Sequence, residues 1–166
     1  MRGEDRDLRR AKHIAYRLLG HRMRSCKEVQ EKLEARNFSS GIISEVIHGL
    51  KRLGYVNDET FALEWAKSRA LHSGFGKWRI GQELRQKGIS TEYINKVNKE
   101  ILTTAAELGN ASRAAEKKLH SMRALEREVR RRRLAAFLER KGYASDIIRE
   151  VLEKYLDRKH GFSVSA

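Results

Sequence analysis

One short phrase is written three times in this chain, about fifty residues apart. Self-similarity at that period is the signature of a tandem array. The copies are Leu33-Glu34-Ala35-Arg36-Asn37-Phe38-Ser39, Leu84-Arg85-Gln86-Lys87-Gly88-Ile89-Ser90 and Leu138-Glu139-Arg140-Lys141-Gly142-Tyr143-Ala144. Each continues in step, with Ile42, Ile43 and Val46, then Tyr93, Ile94 and Val97, then Ile147, Ile148 and Val151. The chain is one unit repeated, and its function belongs on a surface that the array shares.

Each copy reads as a helix end followed by a helix start. In a Schellman ending the residue past the cap is left-handed, which Gly and Asn tolerate best. Asn37, Gly88 and Gly142 take that place, with Phe38, Ile89 and Tyr143 folding back on Leu33, Leu84 and Leu138. Arg36, Lys87 and Lys141 then meet the negative end of a helix dipole, a structural role sufficient in itself. Ser39 and Ser90 read as N-caps of the next helix. The third copy has Ala144 there, so Ser145 is expected to cap one residue later. Leu50, Gly54 and Tyr55 spell the same ending, followed by Asn57-Asp58-Glu59 as a capped, acidic helix start. Ser25 and Glu28 have capping-box spacing.

There is no proline, and the apolar periods are helical: Ile42, Ile43, Val46, Ile47 and Leu50 on one face, and Phe61, Ala62, Trp65 and Ala66 on another. The fold class is therefore all-α, with three tandem three-helix modules at 8–53, 57–101 and 103–159. Each module is expected to hold its own small core. The third opens with a long helix rich in Ala, Lys and Arg. Residues 1–7 and 161–166 are expected to be flexible tails. No apolar run is long enough to cross a membrane, and the start does not read as a secretory signal. Cys26 is the single cysteine, which excludes an intrachain disulfide and fits a reducing compartment. His13, His21, His48, His72, His120 and His160 lack the close spacing of a helical metal pair. No nucleophile–base pair or carboxylate pair emerges, so no metal, cofactor or catalytic residue is expected.

The formal charge is +14, and it sits at the ends: +6 over 1–57, +2 over 58–101 and +6 over 102–166. Such an excess repels itself unless a polyanion is near. The densest cluster is Arg130, Arg131, Arg132 and Arg133. Four consecutive helical positions sweep the whole axis, so they cannot share one ligand. Val129, Leu134, Phe137 and Leu138 mark the buried side. At least one Arg must lie beside it and snorkel, leaving two or three for phosphate or carboxylate. Lys117, Lys118, Arg123 and Arg127 extend the patch. The plain alternative is a solvated face laced with pairs to Glu126, Glu128 and Glu139.

Gly74-Phe75-Gly76-Lys77 has neither the spacing nor the Ser or Thr of a phosphate loop. It reads as a helix stop at Gly74 and a new helix opened by Lys77, Trp78 and Arg79. Cations there oppose the dipole, so an external anion is the suggested reason for them. Trp78 offers a surface for stacking a base or for packing on a neighbouring module.

These residues together resemble the RecX family of regulatory proteins. The resemblance is carried by Ser25, Glu28 and Leu33, by Leu50, Gly54, Tyr55, Val56, Asn57, Asp58, Glu59, Phe61 and Ala62, and by Arg69. It continues through Gly76, Lys77, Ile80, Glu83, Leu84, Lys87, Gly88 and Ile89, and closes with Phe137, Leu138, Arg140, Lys141, Gly142 and Tyr143. It covers about 11–157. Asn37 stands where many members carry Gly, and the four-Arg run is more basic than the family pattern. The resemblance implies a bacterial cytoplasmic modulator of the RecA recombinase, probing as an elongated, curved right-to-left array into the groove of the RecA–single-stranded DNA filament. It implies inhibition of strand exchange, RecA ATPase and co-protease activity, with net loss of filament. The competing reading is a stand-alone basic DNA-binding module of helix-turn-helix-like units. The candidate contacts are Lys77, Trp78, Arg79, Lys117, Lys118, Arg123, Arg127 and Arg130 to Arg133, on a chain expected to be a monomer.

Overall fold

The computed structural model describes residues 2–157; the expected tail at 161–166 lies outside them. All regular structure among the described residues is helical. The α-helices are α1 (Arg2–His21), α2 (Cys26–Glu34), α3 (Ser40–Arg52), α4 (Asp58–Ser68), α5 (Lys77–Gln86), α6 (Thr91–Glu100), α7 (Thr104–His120), α8 (Arg127–Lys141) and α9 (Ser145–Leu152). A π-helical turn, Arg69–Ser73, prolongs α4 and stops at Gly74 with φ 59°. A second, Glu153–Asp157, follows α9. Residues 2–7, expected as a tail, form the opening turns of α1.

The repeated phrase makes the same turn each time. Asn37, Gly54, Gly88 and Gly142 have φ of 59°, 73°, 76° and 87°. The next residue's N–H returns to the leucine carbonyl, Phe38 to Leu33, Tyr55 to Leu50, Ile89 to Leu84 and Tyr143 to Leu138, at 2.9–3.4 Å. This is the Schellman pattern, which satisfies carbonyls that a helix end leaves without partners. Leu33, Leu84 and Leu138 are fully buried. Truncating any of them to Ala costs about 2–5 kcal/mol. The starts are capped as expected at Ser25 (a complete capping box), Ser39, Asn57 and Ser90. The third copy differs from expectation: Ala144 is the N-cap and makes no side-chain bond, while Ser145 is already helical. A residue with helical backbone no longer has its side chain aimed at the orphan N–H groups.

Three cores in series are expected from the repeat; the chain instead gathers into two compact units. One comprises the described residues up to Trp65 with Glu83–Val97, the other Ala66–Gln82 with the residues from Asn98 on. The divisions fall within α4, α5 and α6, so the middle three helices are shared out. In the first unit α1, α2 and α3 enclose Ala11, Ala15, Val29, Leu33, Val46 and Leu50. In the second, α7, α8 and α9 enclose Ala111, Ala115, Leu134, Leu138, Ile147 and Val151. Ala11 and Ala15, like Ala111 and Ala115, are fully buried. Their small side chains let the long first helix of each group lie close on its neighbours.

Candidate polyanion interface

The arginine run occupies the first half of α8, where Leu134 and Leu138 point into the core. Its four members have four different surroundings. Arg130 is half-buried, and its Nε is the buried side-chain polar atom without a hydrogen-bond partner among the described residues. It is the snorkelling member that the helical sweep requires. Arg131 donates to Oδ2 of Asp157, and Arg127 donates to Oδ1 of the same carboxylate at 3.3 Å. The hydrogen bond from Arg131 is the main reason that the Asp157 carboxyl lies below its ordinary range. Arg132 and Arg133 are exposed and have no ion-pair or hydrogen-bond partner among the described residues. The exposed pair is thus Arg132 and Arg133.

The remaining basic residues fall into separate places. Arg123 lies in the turn after α7 and, with Arg130 and His120, borders a small cavity of about 270 Å³. Lys117 is exposed and Lys118 half-buried, its Nζ 5.7 Å from the centre of the Phe137 ring. Both line a second cavity, of about 570 Å³, together with Arg113, Lys141 and His72. Arg113 is four residues before Lys117 on α7, a spacing legible in the sequence. His72 and Lys141 arrive from elements far away in the chain and carried no such signal.

At the start of α5 the structure supplies an anion that sequence reasoning places outside. The N–H of Lys77 donates to Oε1 of Glu107 at 2.7 Å. Glu107 is 5 % exposed, and burial raises its carboxyl above the ordinary range although the Lys77 bond opposes this. Arg79 donates to the carbonyl of Arg140 at 3.2 Å and its guanidinium lies 3.9 Å over the Phe75 ring. The backbone N–H groups of Gly76 and Trp78 bind the carbonyls of Lys141 and Gly142 at 2.8 and 3.1 Å. The end of α8 therefore docks on the start of α5, where Arg79 has an internal contact. Trp78, 64 % exposed, keeps its ring in solvent.

The first unit repeats this plan with other residues. The N–H of Cys26, the first residue of α2, donates to Oδ1 of Asp58 at 2.8 Å. Lys27 donates to the carbonyl of Gln86 at 3.0 Å, as Arg79 does to Arg140. Lys87, the phrase cation, binds Oε1 of Glu28 at 2.8 Å and lies 4.1 Å over the Trp65 ring. Lys141, its counterpart in the third copy, binds the carbonyl of Ser73 at 2.7 Å. The phrase cations thus hold the packing between successive groups of three helices, a role beyond capping their own helix.

These features define an all-α protein of tandem three-helix domains with exposed cations on α7 and α8. Family models of RecX match in order: the first three-helix domain at residues 11–50, the second at 57–97 and the third at 105–152. The chain belongs to the RecX family. The Regulatory protein RecX of Chlorobium phaeobacteroides (strain BS1) is 37% identical over 150 residues, spanning 90% of this chain and 96% of the relative. That of Streptomyces coelicolor is 32% identical, spanning 90% and 79%. The crystal structure of RecX from Lactobacillus salivarius aligns with a TM-score of 0.81 at 24% identity, over 92% of this chain and 98% of that one. Among the described residues no helix is long and apolar enough to cross a membrane.

Proposed function

We propose that this chain is a non-catalytic regulator that binds the RecA–single-stranded DNA filament in its groove, across protomers, and inhibits the recombinase, ATPase and co-protease activities while promoting disassembly. The observation that carries the reading is the exposed pair Arg132 and Arg133, two guanidinium groups without a partner among the described residues, in a chain of the RecX family. Lys117, Lys118 and Arg123 add charge, and Trp78 adds an exposed ring at the start of α5. Arg127, Arg130 and Arg131 support the cluster from partly engaged positions. Several weak contacts suffice, because each tethered domain raises the effective concentration of the next. Inhibition follows if the chain binds one filament state better than another. The reading places the protein in the bacterial cytoplasm as a monomer, with module limits at 8–53, 57–101 and 103–159.

The test is RecA ATPase activity on single-stranded DNA with the chain added in stoichiometric amounts. A fall is expected, and no change at saturation sinks the proposal. Exchanging both Arg132 and Arg133 for Glu should weaken inhibition roughly tenfold or more while leaving the melting temperature unchanged. A lowered melting temperature with undiminished inhibition would assign the pair a structural role. Tight, sequence-specific binding to DNA alone, with a steep salt slope, would instead favour a stand-alone DNA-binding module.

A further inference from the structure

The cavity of about 570 Å³ in the second unit is lined by the π-helical turn, α7 and α8. Its charged lining is Arg113, Lys117, Lys118 and Lys141, with His72 beside them and no carboxylate. Several cations elsewhere are matched by carboxylates: Lys87 by Glu28, Arg127 and Arg131 by Asp157. Here the partners are neutral. Arg113 donates to the Asn110 side chain, Lys118 faces the Phe137 ring, and Lys141 binds the Ser73 carbonyl. Lys117 has no partner among the described residues. Burial, and then the charge of Arg79, push the Lys141 ammonium below its ordinary range. Like charges gathered without a counter-ion disfavour the compact state until an anion joins them.

Part of the lining is apolar. Leu71, Ala70 and Ala114 form it, and Leu71 is 64 % exposed. An inorganic phosphate would leave that part bare in a cavity large enough for a small organic ligand. An extended peptide would need backbone acceptors. The carbonyls of Ser73 and Gly74 are already taken, by Lys141 and by the Tyr143 hydroxyl at 3.2 Å. What remains is a set of cationic donors beside a hydrophobic wall. We propose that this cleft binds a free nucleoside triphosphate, with Lys117, Arg113 and Lys118 on the phosphates and the base laid against Leu71 and Ala114. The site goes beyond the filament reading and stands whether or not the chain binds a filament.

The experiment uses the full chain alone, with neither RecA nor DNA, titrated calorimetrically with ATP, tripolyphosphate, adenosine and hexaglutamate. ATP should saturate one site, about tenfold more tightly than tripolyphosphate because the base covers the apolar wall. Lys117→Glu should weaken ATP at least about tenfold. Leu71→Ser, at an exposed position, should close the gap between ATP and tripolyphosphate and leave tripolyphosphate binding unchanged. Equal affinity for ATP and tripolyphosphate in the parent chain would make the cleft a plain polyanion patch and overturn the proposal. Tighter binding of hexaglutamate, or no saturable binding of ATP, would overturn it too.

Discussion

In the first unit the end of α5 packs on the first turn of α2; in the second the end of α8 packs on the first turn of α5. A carboxylate from the following group caps the helix start in both, and a first-turn cation binds the last carbonyls. The finish differs. In the first unit charge closes the contact, because Glu28 accepts from Lys87 at 2.8 Å and from Arg22 at 2.9 and 3.1 Å. In the second the main chain closes it, through Gly76 on Lys141 and Trp78 on Gly142. The same phrase has been locked by an ion pair in one place and by backbone hydrogen bonds in the other. The first is exposed to changes of pH, the second to any added atom.

Adding a methyl group should break the second contact hardest. A Cβ on Gly142 would lie 2.6 Å from the backbone nitrogen of Arg79, at φ 87°. Overpacking and left-handed strain together put the cost of Gly142→Ala at about 3 kcal/mol. On Gly88, at φ 76°, the Cβ would meet Cβ and Cδ of Lys27 at 2.7 and 2.8 Å, side-chain atoms and not the main chain itself. Gly88→Ala should cost about 2 kcal/mol. Urea denaturation of both variants measures the difference, and equal losses would erase the distinction drawn between the two contacts.

The capping carboxylates should follow the same order at smaller scale. Glu107 is nearly buried and Asp58 only half-buried. Glu107→Ala removes the buried carboxylate that caps the Lys77 N–H, at about 2 kcal/mol, whereas Asp58→Ala should cost about 1 kcal/mol. Thermal melts of the two variants compare them directly.

Acid should act in opposite directions on the two units. Burial raises the Glu28 carboxyl, but bonds from Arg22, Lys87 and the Ser25 N–H outweigh it and hold the group at about 2. A depressed carboxylate stabilises above its unfolded value, near 4.5, and that share is lost as pH falls towards 2. Glu107 is raised, so its share is present below the unfolded value and lost as pH rises through the folded one. Amide exchange near pH 3 should therefore show protection falling in α2 before α7. Glu28→Gln should remove that acid-dependent loss.

The smallest expected effect concerns Cys26. Burial, followed by the charge of Asp58, pushes its thiol up to about 11. Iodoacetamide at pH 8 should label it slowly in the folded chain and rapidly in urea. Asp58→Ala should speed the folded reaction.

Much of the fold was legible because its signals are local. The leucine, the left-handed residue and the apolar residue that returns lie within six positions, and the hydrogen bonds they make are equally short in sequence. Ser25 with Glu28 and Asn57 with Thr60 are of the same kind. The third start escaped because Ala144 offers no side chain and the nearest serine is one residue too late. In the candidate surface, the helical sweep of the arginine run required that one member be half-buried, and Arg130 is. It carried nothing about Asp157, 26 residues beyond Arg131.

The sequence by itself determined where most helices start and stop, and which leucine of each repeated phrase must be buried, because spacing along one helix settles both. Only the tertiary structure decided what the cations at those ends are for. Glu107 lies 30 residues from Lys77, and Lys141 lies 68 from Ser73. No periodicity links positions so far apart, and helix-dipole reasoning sees a cation at a helix start only as a misfit awaiting an outside anion. Packing brings the buried carboxylate to Lys77 and the free carbonyl to Arg79. It leaves Arg132, Arg133 and Lys117 without partners among the described residues, and separates the charges that hold helices together from those that face outward.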